Sequence, residues 1–396
     1  MVIRRATAED ADRFVQLEGY AYGATPDHEP LMKERFLNAP EQNYIVEEDT
    51  QCIAGAQMIP LEQNIRGVWK KMGGVSNVAS APEVRRKGHV RDLMLFMLKD
   101  LHDDAFAVST LYPFKDLFYG AVGYTKMPPI YWVDAHPRQF KPWSVPSGYS
   151  IKRTSIEGGL KDWRTVHDQV VSSIHGAARR PDKRWKELTI GFKSKLAIAY
   201  GPQSEPEGYM VYKTQGYGQF GSDPNVGTMV VREMLWTNPQ ARSTLLNFIY
   251  LHTDQMVKVS LIVSPMSNDF YHWIEDVNIP TMRAGFSHMA RIVDVEQALS
   301  GIKVSDSGEI QLRVEDPQFA WNNQIFQLST SKRKLAVERL GNSSTATTIS
   351  IQGLTSLLYG TLSLQQIEAL NWLRGEKHDL LSRWFTPDVP WLIEDF

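Results

Sequence analysis

Three groups of residues in this 396-residue chain have the types and spacing to do chemistry. The first is Arg85, Arg86, Lys87 and Gly88, a basic turn between a strand-like segment ending at Ala81-Pro82 and an apolar helix that starts at once. A strand end, free backbone N–H groups and a helix N-terminus in one place suit an anionic phosphate. Unpaired donors and the helix dipole both point at it, and the arginines and lysine add charge that the backbone lacks. The second is Tyr124, which closes the run Phe118-Tyr119-Gly120-Ala121-Val122-Gly123-Tyr124. A phenol titrates near ~10 and a thiol near ~8.5, so a tyrosine stays protonated at neutral pH and can give its proton to a thiolate. The third is the terminal Pro390-Trp391-Leu392-Ile393-Glu394-Asp395-Phe396, aromatic and apolar where chain ends are usually polar and frayed. That composition predicts a docked tail, which carries the carboxylate of Phe396 into the protein.

The elements that must position these groups are legible from periodicity and punctuation. Val2–Arg5 alternates as a short strand, residues 7–10 form a capped helix entry, and helical spacing continues through Phe14, Leu17 and Glu18. A Gly/Pro-punctuated loop follows at 23–30. Residues 44–47 and 52–60 read as strands joined by an acidic turn, and 70–79 as the next strand. Residues 91–102 form a helix whose centre is apolar on every side, which predicts burial. A strand at 106–111, a short helix at 114–119 and a strand from Tyr124 complete a pattern suited to one mixed sheet with helices on its faces.

Three prolines within residues 137–146 mark a boundary. Beyond it the pattern restarts, with a helix at 162–173, paired strands at 197–200 and 208–213, and a longer strand at 228–236. The step Thr237-Asn238-Pro239-Gln240-Ala241-Arg242 into an apolar helix mirrors Ser80-Ala81-Pro82-Glu83-Val84-Arg85, but lacks the Arg-Lys-Gly-His-Val insert. We read an internal repeat that has lost its phosphate loop. From residue 289 the composition shifts to short strands at 309–314, 324–328, 335–339 and 347–351, then helices at 351–359 and 364–373. The expected division is 1–140, 147–288 and 289–396, in an α+β fold.

Bulk composition narrows the function classes. A 42% hydrophobic and 22% charged chain is an ordinary globular protein, and a net charge of −2 argues against nonspecific nucleic-acid binding. The single cysteine, Cys52, excludes an internal disulfide framework and a Cys-rich metal site, and fits a reducing cytoplasm. The N-terminus turns acidic before a signal peptide could form, and no run nears the roughly 18 apolar residues of a spanning helix. His89, His102, His167 and His175 have no metal-ligand spacing, so no metal is expected. Ser-His-Asp, Walker and Rossmann patterns are absent.

The basic turn resembles the acetyl-CoA loop of the GNAT acetyltransferases, Arg/Gln-x-x-Gly-x-Gly/Ala. Arg85, Arg86, Lys87, Gly88, His89 and Val90 fill its places, with Val90 where the family has a small residue. The run ending at Tyr124 is similar to the FYG-x-x-GY pattern of the Eis (enhanced intracellular survival) aminoglycoside acetyltransferases. The resemblance covers the whole length: a GNAT half, a degenerate GNAT half and a sterol-carrier-like α/β unit with an aromatic end. It implies that Val78, Ala79 and Ser80 offer backbone hydrogen bonds to the pantetheine arm of acetyl-CoA. Arg86, Lys87, Gly88, His89, Val90 and Arg91 would surround the pyrophosphate, and Tyr119 and Gly120 would touch the cofactor. Tyr124 would be the general acid and the Phe396 carboxylate the base. Asp27, His28 and Glu29, with Glu394 and Asp395, would form an acidic mouth for a small-molecule amine, and Phe36 an aromatic wall.

The implied activity is acetylation of aminoglycoside, polyamine-like or lysine amines in a ternary complex, since Cys52 lies outside every motif. A homo-oligomer, hexameric by resemblance, is expected in the cytoplasm, with no nucleic-acid or membrane partner. Two alternatives stand beside this reading. One is another tandem-GNAT acyltransferase, N-myristoyltransferase-like or mycothiol-synthase-like. The other is a non-enzymatic lipid-binding protein.

Overall fold

The computed structural model describes residues 1–140, 143–190, 194–216, 227–266, 269–276, 280–341, 347–376, 379–394 and 396. They form two units, one built from residues within 1–128, 175–190 and 287–396, the other from residues within 129–174 and 191–286.

The first unit opens with strand β1 (Val2–Arg5) and helix α1 (Ala11–Tyr22). The helix is entered through Thr7, whose N–H donates to the Asp10 carboxylate at 2.7 Å, and Gly23 ends it at φ 64°. Helix α2 (Glu29–Asn38) follows, then strands β2 (Asn43–Glu48), β3 (Gln51–Ile65) and β4 (Val68–Ser80). Helix α3 (His89–Asp103), strand β5 (Val108–Leu111), helix α4 (Asp116–Gly120) and strand β6 (Thr125–Lys126) complete the series. Among the described residues eight strands make one sheet, in the order β1-β2-β3-β4-β5, then Met289–Ile292, then β6, with Ala178–Arg179 paired to β3.

Only β4 and β5 run parallel in this sheet, from Met72 opposite Val108 to Val75 opposite Leu111. Pro113 offers no N–H two residues further on, so β5 stops there. β4 continues to Ser80 through a bulge at Asn77 (φ 53°), between the pairs Ser76–Gln57 and Ala79–Gly55. The two strands therefore part after Val75 and Leu111. Across the sheet lies α3, which buries Leu93, Met94, Met97, Leu98 and Leu101 at helical spacing. Each of these side chains contributes roughly 1.5–3 kcal/mol by leaving water.

The same unit holds a second sheet of five described strands, ordered Lys334–Leu340, Ile325–Ser331, Glu309–Glu315, Thr348–Ser350, Leu373–Arg374. Behind it the helix Ile351–Tyr359 is capped by the Ser350 hydroxyl, which accepts from the Gly353 N–H at 3.1 Å.

The other unit repeats the central device. Thr228–Trp236 and Lys258–Val263 pair in parallel from Thr228–Lys258 to Val231–Leu261 and then part, within a sheet of seven described strands. A helix, Pro239–Tyr250, follows the first of them. Its N-terminus is already filled. Asn238 Oδ1 accepts from the Ala241 N–H at 2.8 Å, and Pro239 has no N–H.

Two strands lie in sheets that the divisions 1–140 and 289–396 do not imply. Tyr131–Ala135 joins the seven-stranded sheet, between Lys258–Val263 and Thr281–Ala284. Met289–Ile292 is an interior strand of the first sheet, between β5 and β6. Short strands of this kind fit any buried sheet, and long-range register decides which one they enter. No described helix is long and apolar enough to cross a membrane.

Candidate active site

The basic turn folds as a cradle of donors. Arg86 (φ 65°) and Gly88 (φ 96°) take left-handed backbone, which reverses the chain just before α3. Gly88 brings no capping side chain, and a Cβ placed on it would meet nothing within 4 Å. Among the described residues no acceptor takes the N–H groups of Arg86, Lys87, Gly88, His89, Val90 or Arg91. Arg85, Arg86 and Lys87 are exposed, and Arg91 Nη2 donates to Gln318 Oε1 at 3.3 Å. Val90 packs against the core beneath α3, so its bulk points away from these donors. Bare N–H groups, a helix N-terminus and three cations fit a polyanion such as a pyrophosphate.

Beyond the parting, β4 residues 76–80 pair with β3 along one edge. Val78 and Ser80 are half-buried and Ala79 is buried. The Val78 carbonyl accepts from the Tyr22 hydroxyl at 3.2 Å.

Tyr124 is buried, and its hydroxyl lies 2.7 Å from Ser109 Oγ. Ser109 Oγ donates its single hydrogen to the Gly73 carbonyl at 2.8 Å, so the phenol must be the donor to Ser109. Burial pushes the phenol up to about 12, opposed by the Ser109 hydrogen bond and the charge of Arg291. It therefore keeps its proton throughout the neutral range. Tyr119 is also buried, its ring edge-on to Phe118 at 5.0 Å and to Tyr124 at 6.2 Å. Gly120, at the end of α4, has open space where a Cβ would be, and its carbonyl accepts from Gln352 Nε2 at 3.3 Å.

The tail docks as its composition predicts. Trp391 N–H donates to the His175 carbonyl at 2.8 Å, and the Phe396 ring stands edge-on to Tyr112 at 5.7 Å. Tyr112 in turn donates to the Glu394 carbonyl at 3.0 Å. The Phe396 ring covers Gly74 so closely that a Cβ there would lie 3.0 Å from it. A Cβ on the preceding residue, Gly73, would meet Leu101 of α3 at 2.7 Å. Ser109, which holds Tyr124, and the ring of Phe396 thus meet consecutive residues of β4, next to the place where β4 and β5 part.

Two expectations for the acceptor side are corrected. Glu394 lends no charge to a mouth, because it is buried between Arg180 Nε (2.6 Å) and Arg184 Nη2 (2.8 Å). Burial alone would raise its pKa, but those guanidinium groups bring it below the usual carboxylate range. Its charge anchors the tail. Phe36 is core, not wall: it is buried against Phe14, ring centroids 5.1 Å apart, where α1 and α2 meet. Asp27, His28 and Glu29 are exposed at the start of α2, with His28 Nδ1 3.0 Å from Thr25 Oγ1. Asp395 lies outside the described residues.

Sequence reasoning missed the residues that hold this arrangement together. Ser109 orients Tyr124. Arg291, fully buried, donates to the Val122 carbonyl in the turn before Tyr124 and pairs with buried Asp316. An arginine inside the apolar strand Met289–Ile292 is the one signal that marked it. Burial pushes the Cys52 thiol up to about 12, which leaves it little thiolate at neutral pH. The described residues hold no cluster of three or more metal-ligating side chains.

Comparison with known families finds an acetyltransferase (GNAT) domain at residues 2–127, a second acetyltransferase (GNAT) domain at 176–292 and a sterol carrier protein domain at 295–393. An uncharacterized N-acetyltransferase of Streptomyces avermitilis is 23% identical over 337 residues, covering 82% of this chain and 81% of that protein. The N-acetyltransferase Eis of Mycobacterium tuberculosis is 22% identical over 268 residues, or 61% of this chain and 63% of that protein. A GCN5-related N-acetyltransferase from Anabaena variabilis has the same fold over 100% of both chains, with a TM-score of 0.88 at 20% identity.

Proposed function

We propose that this chain, a GNAT acetyltransferase with a sterol carrier protein domain and similar to Eis, acetylates amines of an aminoglycoside or polyamine-like acceptor by direct transfer in a ternary complex. One arrangement supports the reading: Ser109, the partner of Tyr124, and the ring of Phe396 meet the neighbouring residues Gly73 and Gly74 where β4 and β5 part. Acetyl-CoA, when bound, supplies the acetyl group as a thioester. The N–H groups of Arg86, Lys87, Gly88, His89, Val90 and Arg91 hold its pyrophosphate, and the free edge of Val78, Ala79 and Ser80 holds its arm. Tyr119 and Gly120 line the thiol end. Tyr124 Oη would turn from the Ser109 hydroxyl, its resting acceptor, to give its proton to the departing sulfur. The Phe396 carboxylate orients the acceptor ammonium and receives its proton, while Asp27, His28 and Glu29 attract the cationic acceptor from solvent. The helix that follows the second parted strand pair carries no bare cradle, which supports one active site per chain.

The test is thiol release from acetyl-CoA with a panel of aminoglycosides. Tyr124→Phe and a chain lacking Phe396 should each lose about 10²–10⁴-fold in turnover with cofactor binding kept, and Arg86→Ala should instead raise the KM for acetyl-CoA. Near-wild-type turnover in the first two would remove the assigned roles. By resemblance we also propose a hexamer, to be checked by light scattering on the purified full chain.

A further inference from the structure

Three successive carbonyls close α4 and lead into Tyr124, and each is taken by a side chain from the last third of the sequence. Gly120 accepts from Gln352 Nε2 at 3.3 Å, Ala121 from Gln318 Nε2 at 3.1 Å, and Val122 from buried Arg291. A helix end leaves such carbonyls without donors of its own, and Gly123 (φ 92°) then turns the chain into Tyr124. Gln318 reaches a second place as well. Its Oε1 accepts from Nη2 of Arg91, in the first turn of α3, at 3.3 Å. A guanidinium only donates and a carbonyl only accepts, so the Gln318 amide can stand only one way round. Its backbone is fixed too, since the Gln318 N–H donates to Asp316 Oδ1 at 3.1 Å. Asp316 is the buried partner of Arg291 and accepts from Asn322 Nδ2 at 3.1 Å. One loop of the sterol carrier protein domain, residues 316–322, therefore holds the phosphate cradle with one end of an amide and the turn before Tyr124 with the other. Arg91 is exposed, with Asp92 3.7 Å away. Its guanidinium carries five N–H donors and keeps several for a phosphate.

We propose that Gln318 is a positioning residue that links the two ends of the donor site. Through Oε1 it holds Arg91 toward the pyrophosphate, and through Nε2 it fixes the turn that aims Tyr124. This rests on reading the N-terminal GNAT region as the acetyl-CoA site, and it gives the sterol carrier protein domain a share in that region's chemistry. No bond is made or broken at Gln318. Its contribution is geometry set before the donor arrives, so that neither the guanidinium nor the phenol has to be ordered on binding. The two contacts span 227 and 197 residues of sequence, so neither leaves a local trace.

A cycle of Gln318→Ala, Arg91→Ala and the double variant, made in the full chain, separates the two contacts. Calorimetric titration of acetyl-CoA reads the first, and the kcat of thiol release with the aminoglycoside panel reads the second. Gln318→Ala should bind acetyl-CoA about three- to tenfold more weakly and turn over about tenfold more slowly. In the Arg91→Ala background the same change should leave binding where it was, yet still lower kcat about tenfold. Gln318 is half-buried, so Gln318→Ala should melt with wild type. Equal weakening of binding by Gln318→Ala in both backgrounds would overturn the hold on Arg91, and an unchanged kcat would overturn the aim of Tyr124. Losses that follow a fall in melting temperature would overturn both. Acetyl-CoA binding that obeys the cycle, with no thiol release by wild type, would uphold the hold on Arg91 and sink the transferase reading instead. No acetyl-CoA binding by wild type would overturn the link and that reading together.

Discussion

Tyr124 and His288 are both sealed from water, and the difference between them is partners. The phenol donates to Ser109, which is anchored on Gly73, so its burial is compensated and its direction set. Among the described residues both ring nitrogens of His288 are buried without a partner, and burial pushes the imidazole down to about 3. The unfolded chain takes up a proton near pH 6.5 that the folded chain refuses until about 3. Stability contributed by the neutral ring is thus complete above pH 6.5. It falls at roughly 1.4 kcal/mol per pH unit below that. Urea unfolding at pH 7, 6 and 5 should show this slope in wild type and a shallower one in His288→Phe. At this scale Tyr124 and the tail were legible in sequence because each is a contiguous pattern. Ser109, fifteen positions from Tyr124, was not, since a serine in an apolar strand has no local signature of its partner.

Two strand-to-helix steps of the same design differ in what covers the helix N-terminus. Before Pro239–Tyr250 an asparagine caps the first turn, and a proline removes a donor. Before α3 a glycine leaves the donors bare, in backbone that side chains resist. Gly88→Val should therefore strain the turn by about 1–2 kcal/mol. It should raise the KM for acetyl-CoA several-fold, with kcat for the bound complex nearly unchanged. Steady-state kinetics with acetyl-CoA as the varied substrate checks this. These steps could be read from sequence because helix entries are local events, decided within about one turn. The same locality made Phe36 and Glu394 ambiguous. An aromatic or an acid near a site motif does not say whether its side chain turns toward the site or the core.

Across the molecule, buried charges link segments far apart in the chain. Arg291 pairs with Asp316 and also supports the turn before Tyr124, while Arg180 and Arg184 hold the tail through Glu394. Arg291→Met would leave Asp316 buried without its cation, at a cost of about 3–5 kcal/mol. A thermal melt should show the loss, and adding Asp316→Leu should return part of it. The three-part α+β organisation was legible, because each part carries its own run of periodic elements. The exchange of Tyr131–Ala135 and Met289–Ile292 between sheets was not, because a strand of four or five residues carries no address.

That exchange governs how the protein is made. The strand beside β5 is not synthesised until residue 292, so most of the chain has left the ribosome before the sheet bearing the cradle can close. Until then β5 is an open edge with bare donors and acceptors, able to pair with the wrong strand. The contact spans about 180 residues, a separation that raises the closure entropy with the logarithm of loop length and so slows folding. The N-terminal GNAT region is therefore not a domain that folds first and waits. It depends on a strand delivered late, and recruits it only after the chain of the seven-stranded sheet has been laid down.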